Sequence, residues 1–198
     1  MLLFAAFFWG TTFVAQTTAS DQIGTFTFNG SRSIVGAAFL ALLILARTGM
    51  KKQKAKVSGE PVEKESIKRT VSGGILCGCV LFFATNLQQS GIAAYPEGVA
   101  SSGRSGFLTA TYVVMVAIVS GLLGKKLHKI VYVAVFVCLG GMYMLCMSGG
   151  IDNLYFGDLL GLLCAVCFTG HILAVDHFND CDSVKISCIQ FITNGVLS

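Results

Sequence analysis

Apolar segments of about 20 residues recur along the chain and constrain its fold more than any other feature. A helix of about that length spans the roughly 30 Å hydrocarbon core of a bilayer. Only 12% of the 198 residues are charged and the mean hydropathy is +0.74, whereas soluble domains contain about 25% charged residues. No short segments alternate with a period of two, as the strands of a membrane barrel would. The sequence therefore predicts an all-α polytopic membrane protein.

Seven apolar segments are predicted as membrane spans, and six of them are complete. The complete spans cover about residues 2–19, 31–46, 70–93, 98–123, 130–147 and 157–175. The seventh covers residues 186–198, which is shorter than the roughly 20 residues that one crossing needs. We therefore expect six complete transmembrane helices and a partial seventh, and we interpret the chain as truncated.

Lysine and arginine are distributed unevenly between the two ends of these spans. Twelve of the fourteen lie in the segments 47–69, 125–129 and 176–185, and the other two are Arg32 and Arg104. Cytoplasmic loops of membrane proteins are enriched in these residues. The pattern predicts that the three basic segments and the N-terminus are cytoplasmic in the cell membrane. The net charge of +4 thus reflects membrane topology, and no nucleic acid partner is expected.

Cysteines and catalytic motifs give no sign of a cofactor or an enzyme. Seven of the eight cysteines lie in predicted spans, and the pair Cys164-x-x-Cys167 has no second pair nearby, so packing is favoured over a zinc or redox site. His171 and Asp176 are five residues apart and point to different helix faces. The sequence contains no HExxH or GxSxG motif. We expect no metal, no cofactor and no enzymatic activity.

The stretch from Asn86 to Tyr112 carries the strongest functional signal. Arg104 lies within span 4, between Gly103 and Gly106, and a charge inside a span is by default a candidate functional site. A guanidinium offers paired donors for a carboxylate or phosphate. The sequence therefore predicts recognition of an anionic or zwitterionic solute at Arg104. An interfacial anchor is the alternative, because the side chain can extend to the membrane surface.

Other polar residues inside the spans are candidates for lining a solute path, since each is costly in lipid unless it faces protein or water. Trp9, Thr12 and Gln16 share one helical face, and Asn86 and Gln89 share another. His171 is a candidate pH-sensitive group, with a packed helix residue as the alternative. The full candidate set is Trp9, Thr12, Gln16, Asn86, Gln89, Arg104, Tyr112 and His171. Asp158 and Asp176, near span ends, are predicted to be interfacial.

Stripes of small residues predict close helix contacts. Gly74 and Gly78 form such a stripe in span 3. Two further stripes are Ser33, Ala37 and Ala41 in span 2, and Ser102, Gly106 and Ala110 in span 4.

A weak internal repeat relates the first and sixth spans. Residues 2–16 align with residues 162–176 and are identical at five positions. Five crossings separate the equivalent points, and because five is odd, the two copies run through the membrane in opposite senses. Inverted repeats of this kind recur in secondary transporters.

Four stretches carry a family resemblance: WGTTFVAQ at 9–16 followed by FTFN at 26–29, NLQQSG at 86–91, SGRSGFLT at 102–109, and GDLL at 157–160. They resemble EamA-type permeases of the drug/metabolite transporter superfamily, and the resemblance covers nearly the whole chain. It implies ten helices in two inverted five-helix halves around a central solute path. Residues 1–147 would form the first five-helix repeat, and residues 157–198 the start of the second.

The resemblance implies a permease that moves a small metabolite or drug-like solute, often outward, without ATP. The partners expected are therefore a small-molecule substrate and the lipid bilayer. The alternative is a truncated, non-transporting membrane protein or assembly partner. A homo-oligomer, or a partner that supplies the missing helices, is compatible with either function.

Overall fold

The computed structural model describes residues 2–20, 22–58, 66–124, 128–147 and 154–198. All regular structure in these ranges is helical, as the sequence predicts. The helices are α1 (Leu2–Ser20), α2 (Thr25–Ser58), α3 (Ile67–Ala93), α4 (Ser101–Ala110), α5 (Tyr112–Leu122), α6 (Lys129–Met147), α7 (Phe156–His177) and α8 (Ser183–Leu197).

The polarity of the helices suits a bilayer. Within the described ranges, four helical stretches are long and apolar enough to span a membrane: Thr25–Met50, Ile67–Ala93, Ser101–Leu122 and Phe156–His177. The apolar stretch Lys129–Gly141 of α6 is shorter than these four. Large apolar side chains such as Phe4 and Phe136 are exposed, whereas the polar Gln89 and Asn194 are buried. This is the reverse of a water-soluble surface, and it is what hydrocarbon around the helices requires.

Helix α2 is longer than the sequence predicts. We expected a span at 31–46 followed by a hydrophilic segment at 47–69, but α2 begins at Thr25 and continues to Ser58. Residues 47–58 contain lysine, arginine, glutamine and alanine, all strong helix formers. The helix therefore continues beyond the apolar sequence. Residues 59–65 of the expected loop lie outside the described ranges.

The predicted span 98–123 consists of two helices that meet at Thr111. The N–H of Thr111 donates to the carbonyl of Leu108 at 3.1 Å, which is an i−3 bond rather than the i−4 bond of a regular α-helix. The Thr111 hydroxyl donates to the carbonyl of Phe107 at 3.5 Å, a competing bond of the kind that bends helices. The i−3 backbone bond at Thr111 marks the interruption between α4 and α5.

The chain forms two compact units, which we describe separately. Unit 1 comprises residues 1–25 and 83–170, and unit 2 comprises residues 26–82 and 171–198. Helices α3 and α7 each contribute residues to both units. The expected division into repeats at 1–147 and 157–198 follows chain order instead, and it stays a prediction.

In unit 1 the order of contacts gives the relative direction of the helices. Trp9 stacks on Tyr112, and Phe13 lies against Gly106, so α1 runs antiparallel to the α4–α5 segment. Arg104 contacts Asp158, and Tyr112 contacts Phe168, so the α4–α5 segment runs parallel to α7. Both directions agree with successive spans alternating in sense.

In unit 2 the α3–α8 contact confirms the Gly74–Gly78 packing prediction. A Cβ atom on Gly74 would lie 2.5 Å from Cβ of Ile189, and one on Gly78 would lie 2.5 Å from Cβ of Thr193. Only glycine fits at these distances. Because the residue numbers of the contacting pairs rise together along the two helices, α3 and α8 run parallel.

Helix α2 packs against the same helix α8 in the opposite sense. A Cβ on Gly30 would lie 3.5 Å from Cβ of Ser198, and a Cβ on Gly36 would lie 3.5 Å from the ring of Phe191. Since the residue number on α8 decreases as the residue number on α2 increases, the two helices are antiparallel. The Asn194 amide also donates to the Ser33 hydroxyl at 2.8 Å, which confirms that the Ser33 stripe lies at a helix contact.

Candidate functional site

A buried ion pair joins α4 and α7 in unit 1. Arg104 donates from Nε to Oδ1 of Asp158 at 2.6 Å and from Nη2 to Oδ2 at 2.6 Å. The two side chains are only 11% and 6% exposed. This two-pronged geometry is the one in which a guanidinium binds a carboxylate most strongly. In this structure Arg104 therefore binds a carboxylate of the chain itself, and the predicted solute at Arg104 stays a prediction.

Two tyrosines complete the hydrogen bonding of Asp158. The Tyr95 hydroxyl donates to Oδ1 at 2.8 Å, and the Tyr155 backbone N–H donates to Oδ2 at 2.9 Å. With the two bonds from Arg104, each carboxylate oxygen accepts two hydrogen bonds, which matches the capacity of an ionised carboxylate. The Arg104 guanidinium also lies over the Tyr155 ring, 5.0 Å from its centroid. This distance is within the range of a cation–π interaction.

Asp158 is placed by the start of α7. It is the third residue of that helix, and its side chain reaches back to the N–H of Tyr155, just before the helix. An acidic side chain at this position binds an otherwise unpaired N–H group and favours the positive end of the helix dipole. The interfacial position of Asp158 stays a prediction, and within the protein the residue is 5% exposed and ion-paired.

Buried amide side chains link α1, α3 and α4 in the same unit. The Gln89 amide donates to the Gln16 backbone carbonyl at 3.0 Å, and the Gln88 amide donates to the Thr109 hydroxyl at 3.2 Å. A backbone carbonyl only accepts, so it fixes the orientation of the Gln89 amide. The Oε1 atoms of Gln16 and Gln89 are then buried without a hydrogen-bond partner in the described ranges. Asn86 is buried on α3 as well.

An aromatic groove lies between α1 and the α4–α5 segment. The rings of Trp9 and Tyr112 stack with centroids 6.0 Å apart, and the Phe168 ring centroid lies 5.9 Å from that of Tyr112. The groove has a volume of about 210 Å³. It is lined by Ala6, Trp9, Gly10, Phe13, Gly106, Thr109, Ala110 and Tyr112. No charged side chain is part of this lining, so the groove suits an uncharged part of a solute.

Six of the eight candidate residues lie in or beside these features of unit 1, and two do not. The Thr12 hydroxyl donates to the Trp9 carbonyl of its own helix at 2.6 Å and is exposed, so it does not share the groove with Trp9. His171 belongs to unit 2, where its Nε2 lies 3.1 Å from Oε1 of Gln190.

The sequence prediction missed the partners of Arg104. Tyr95 and Tyr155 were not candidates, and Asp158 was not paired with Arg104. A usable signal was present, because Arg104 and Asp158 lie near the starts of spans 4 and 6. Alternating topology puts those two starts on the same side of the membrane. Opposite charges at equal depth in two apolar helices are expected to pair.

The family of the chain follows from comparison with known proteins. Residues 1–147, about three quarters of the chain, match the EamA-like transporter family. The chain belongs to the EamA-like transporter family. This EamA-like chain is a multi-pass membrane protein, in agreement with its apolar helices.

The alignment with one relative covers more of the chain than the family match does. An uncharacterized transporter from Archaeoglobus fulgidus is 26% identical to the EamA-like chain over 179 residues. That alignment covers 90% of this chain and 48% of the relative, so the chain spans about half the length of this curated relative. No solved structure matches the chain.

Proposed function

We propose that this chain acts as a permease that moves a small metabolite or drug-like solute across the cell membrane. Membership of a transporter family over residues 1–147 carries the proposal, and the relative that is named a transporter supports it. Transport would be secondary, without ATP, and directed outward as an exporter. The protein would bind a small-molecule substrate and would not act as an enzyme.

The proposed architecture has six complete transmembrane helices and the beginning of a seventh, with α4 and α5 forming one crossing. It corresponds to the first half of a ten-helix inverted-repeat fold and the start of the second half. Helix α8 would then be the second-half counterpart of α2. Inverted counterparts run in opposite senses, and the antiparallel contact between α2 and α8 supports this assignment. The family match also ends at residue 147, where the first repeat is expected to end.

The proposed solute path lies in unit 1. Trp9 and Tyr112 would contact an apolar part of the solute in the groove. Gln16, one helical turn beyond Phe13 of the groove, and its partner Gln89 carry buried oxygens without a described donor. Buried acceptors of this kind suit a solute N–H or O–H group, because an unpaired buried polar group costs about 1–3 kcal/mol. Asn86 and Arg104 complete the polar side of this path.

Thr12 and His171 remain in the proposal with less support. The Thr12 hydroxyl bonds within its own helix, and the side chain is exposed. His171 contributes a polar position in unit 2.

A flux assay tests this function directly. The purified chain is reconstituted into liposomes, and counterflow is measured with labelled phenylalanine, uridine, glucose and tetraphenylphosphonium. At least one probe is expected to accumulate above the level in protein-free liposomes. Ala110→Trp, which fills the groove, should abolish that accumulation. Gly140→Ala on α6 is the matched control, because a Cβ at Gly140 meets nothing within 4 Å and the residue does not line the groove.

If no probe accumulates with the native sequence, the permease proposal fails for these four solutes, and the alternative of a non-transporting membrane protein or an assembly partner is favoured. Measuring the mass of the protein in detergent then distinguishes a single chain from a homo-oligomer.

Orientation is tested separately by labelling single cysteines in intact cells. We propose that the N-terminus and the segment 47–69 are cytoplasmic, so a cysteine at Glu97 should react with an impermeant reagent and one at Lys56 should not. The native cysteines are removed first, so that only the introduced residue reports. Labelling at Lys56 but not at Glu97 would reverse the topology.

A further inference from the structure

The charge of Arg104 is balanced inside the protein by the Asp158 carboxylate, and that carboxylate is surrounded by hydrogen-bond donors from other parts of unit 1. Four donors point at one carboxylate: Nε and Nη2 of Arg104, the Tyr95 hydroxyl and the Tyr155 N–H, all within 2.9 Å of Asp158 oxygens. The donors come from the segment just after α3, from α4 and from the residue before α7. Only the carboxylate itself belongs to α7.

This arrangement determines which solutes can bind to the guanidinium of Arg104. A guanidinium away from water attracts carboxylates strongly, because charges interact more strongly at low dielectric constant than in water. Asp158 already occupies the two-pronged position and accepts as many hydrogen bonds as a carboxylate can. A solute carboxylate would have to displace a ligand that is covalently part of the chain and therefore always present. A neutral solute has no such competitor.

We propose that Arg104, Tyr95 and the Tyr155 backbone form a carboxylate-binding site whose resident ligand is Asp158. Asp158 thereby excludes anionic solutes and makes the path selective for uncharged ones. The solute selectivity rests on the permease function proposed above, whereas the carboxylate site does not. This assignment replaces the anionic solute expected from Arg104 alone, because the guanidinium does not present an unbalanced charge.

Removing the resident carboxylate should open the site to an external one. In Asp158→Ala the four donors remain, and acetate can supply the missing acceptor. We expect the melting temperature of this variant in detergent to rise by about 3–6 °C when acetate replaces chloride at about ten times its dissociation constant. The native protein should not respond, because Asp158 fills its site.

Asp180→Ala is the matched control. Asp180 pairs with Arg69 through the same two-pronged geometry, but both side chains are about half exposed. Water already solvates that guanidinium, so acetate should have no specific effect.

Two results of the melting experiment would overturn the carboxylate site. One is an equal response to acetate in Asp158→Ala and Asp180→Ala, and the other is no response in Asp158→Ala. If Asp158→Ala cannot be purified in chloride, purification in acetate becomes the test. Recovery only in acetate supports the site, and failure in both buffers overturns it.

Flux tests the selectivity with a neutral solute and its anionic counterpart. Glucose and gluconate are compared in liposomes that contain the native protein or Asp158→Ala. The ratio of gluconate to glucose flux should rise in the variant. A native protein that moves gluconate as fast as glucose would overturn the exclusion of anions. If neither protein moves either solute, the permease proposal fails for this pair of solutes, while the acetate experiment still decides the carboxylate site.

Discussion

Two arginine–aspartate pairs with the same chemistry lie in different environments. Arg104 and Asp158 in unit 1 are joined at 2.6 Å and are 11% and 6% exposed. Arg69 and Asp180 in unit 2 are joined at 2.9 and 3.1 Å and are 47% and 52% exposed. Each guanidinium also lies over an aromatic ring, that of Tyr155 at 5.0 Å or of Phe178 at 5.7 Å.

The difference in exposure shows that solvent access, rather than residue type, determines how much such an ion pair stabilises the fold. An exposed pair gains about 0–1 kcal/mol, because water and salt screen it. A buried pair is costly to break, because the remaining charge has no compensation. Asp158 also accepts two further hydrogen bonds from tyrosines. The pair in unit 1 is therefore expected to hold α4 and α7 together, and the pair in unit 2 is expected to contribute little.

Neutralising Asp158 should have the largest effect. Asp158→Asn removes the carboxylate charge that pairs with the buried Arg104 and should lower the free energy of unfolding by about 3–5 kcal/mol. Unfolding in mixed detergent micelles measures this value. Asp180→Asn is the matched control and should cost less than about 1 kcal/mol. Similar losses for the two variants would contradict the comparison.

Unit 2 should depend on close helix packing more than on its ion pair. Gly78→Ala would place a Cβ 2.5 Å from Cβ of Thr193 and 2.9 Å from the Gln190 carbonyl oxygen. Overpacking of this kind costs about 1–3 kcal/mol, and the same unfolding measurement detects it. The control is Gly140→Ala, where the added methyl group meets nothing within 4 Å. A Gly78→Ala variant as stable as the control would show that the α3–α8 contact is looser than described.

The hydroxyl of Tyr95 should contribute to the buried pair in unit 1. Tyr95→Phe removes one donor to the Asp158 carboxylate and should cost about 1.5 kcal/mol, the lower end for a hydrogen bond to a charged group. Tyr155→Phe keeps both the backbone donor and the ring over Arg104, so its stability should be unchanged. Equal effects of the two substitutions would show that the Tyr95 hydroxyl makes no special contribution to the buried pair.

The smallest expected difference between the two pairs is in how salt changes the stability cost of neutralising the aspartate. At about 1 M salt the screening length falls to about 3 Å, so the small cost of Asp180→Asn should disappear. The cost of Asp158→Asn should persist, because the pair is shielded from solvent. Unfolding of both variants at low and high salt tests this. A salt-dependent cost at Asp158 would mean that water reaches the pair.

The sequence predicts the helices well because their signal is local. Apolar length alone predicts α1, α3, α6 and α7 to within three residues at each end. It fails at the end of α2, where good helix formers extend the helix beyond the apolar sequence. It also does not reveal the interruption at Thr111, where the backbone N–H bonds to the Leu108 carbonyl three residues earlier.

The candidate site is only partly predictable, because its contacts are distant in sequence. Arg104 is recognisable by itself, since a charge in an apolar span is unusual. Its partner Asp158 is 54 residues away, and helix periodicity does not define which turns of α4 and α7 meet. The role of Tyr155 depends on a backbone N–H, which every non-proline residue has. Such a contact has no sequence signature.

A double-mutant cycle at each ion pair tests most directly whether the buried pair is coupled more strongly than the exposed pair. Arg104→Gln and Asp158→Asn are made singly and together, as are Arg69→Gln and Asp180→Asn, and unfolding free energies give the coupling within each pair. We predict a coupling of about 2–3 kcal/mol for Arg104 with Asp158 and less than about 1 kcal/mol for Arg69 with Asp180. Equal couplings, or a smaller one for the buried pair, would contradict the account.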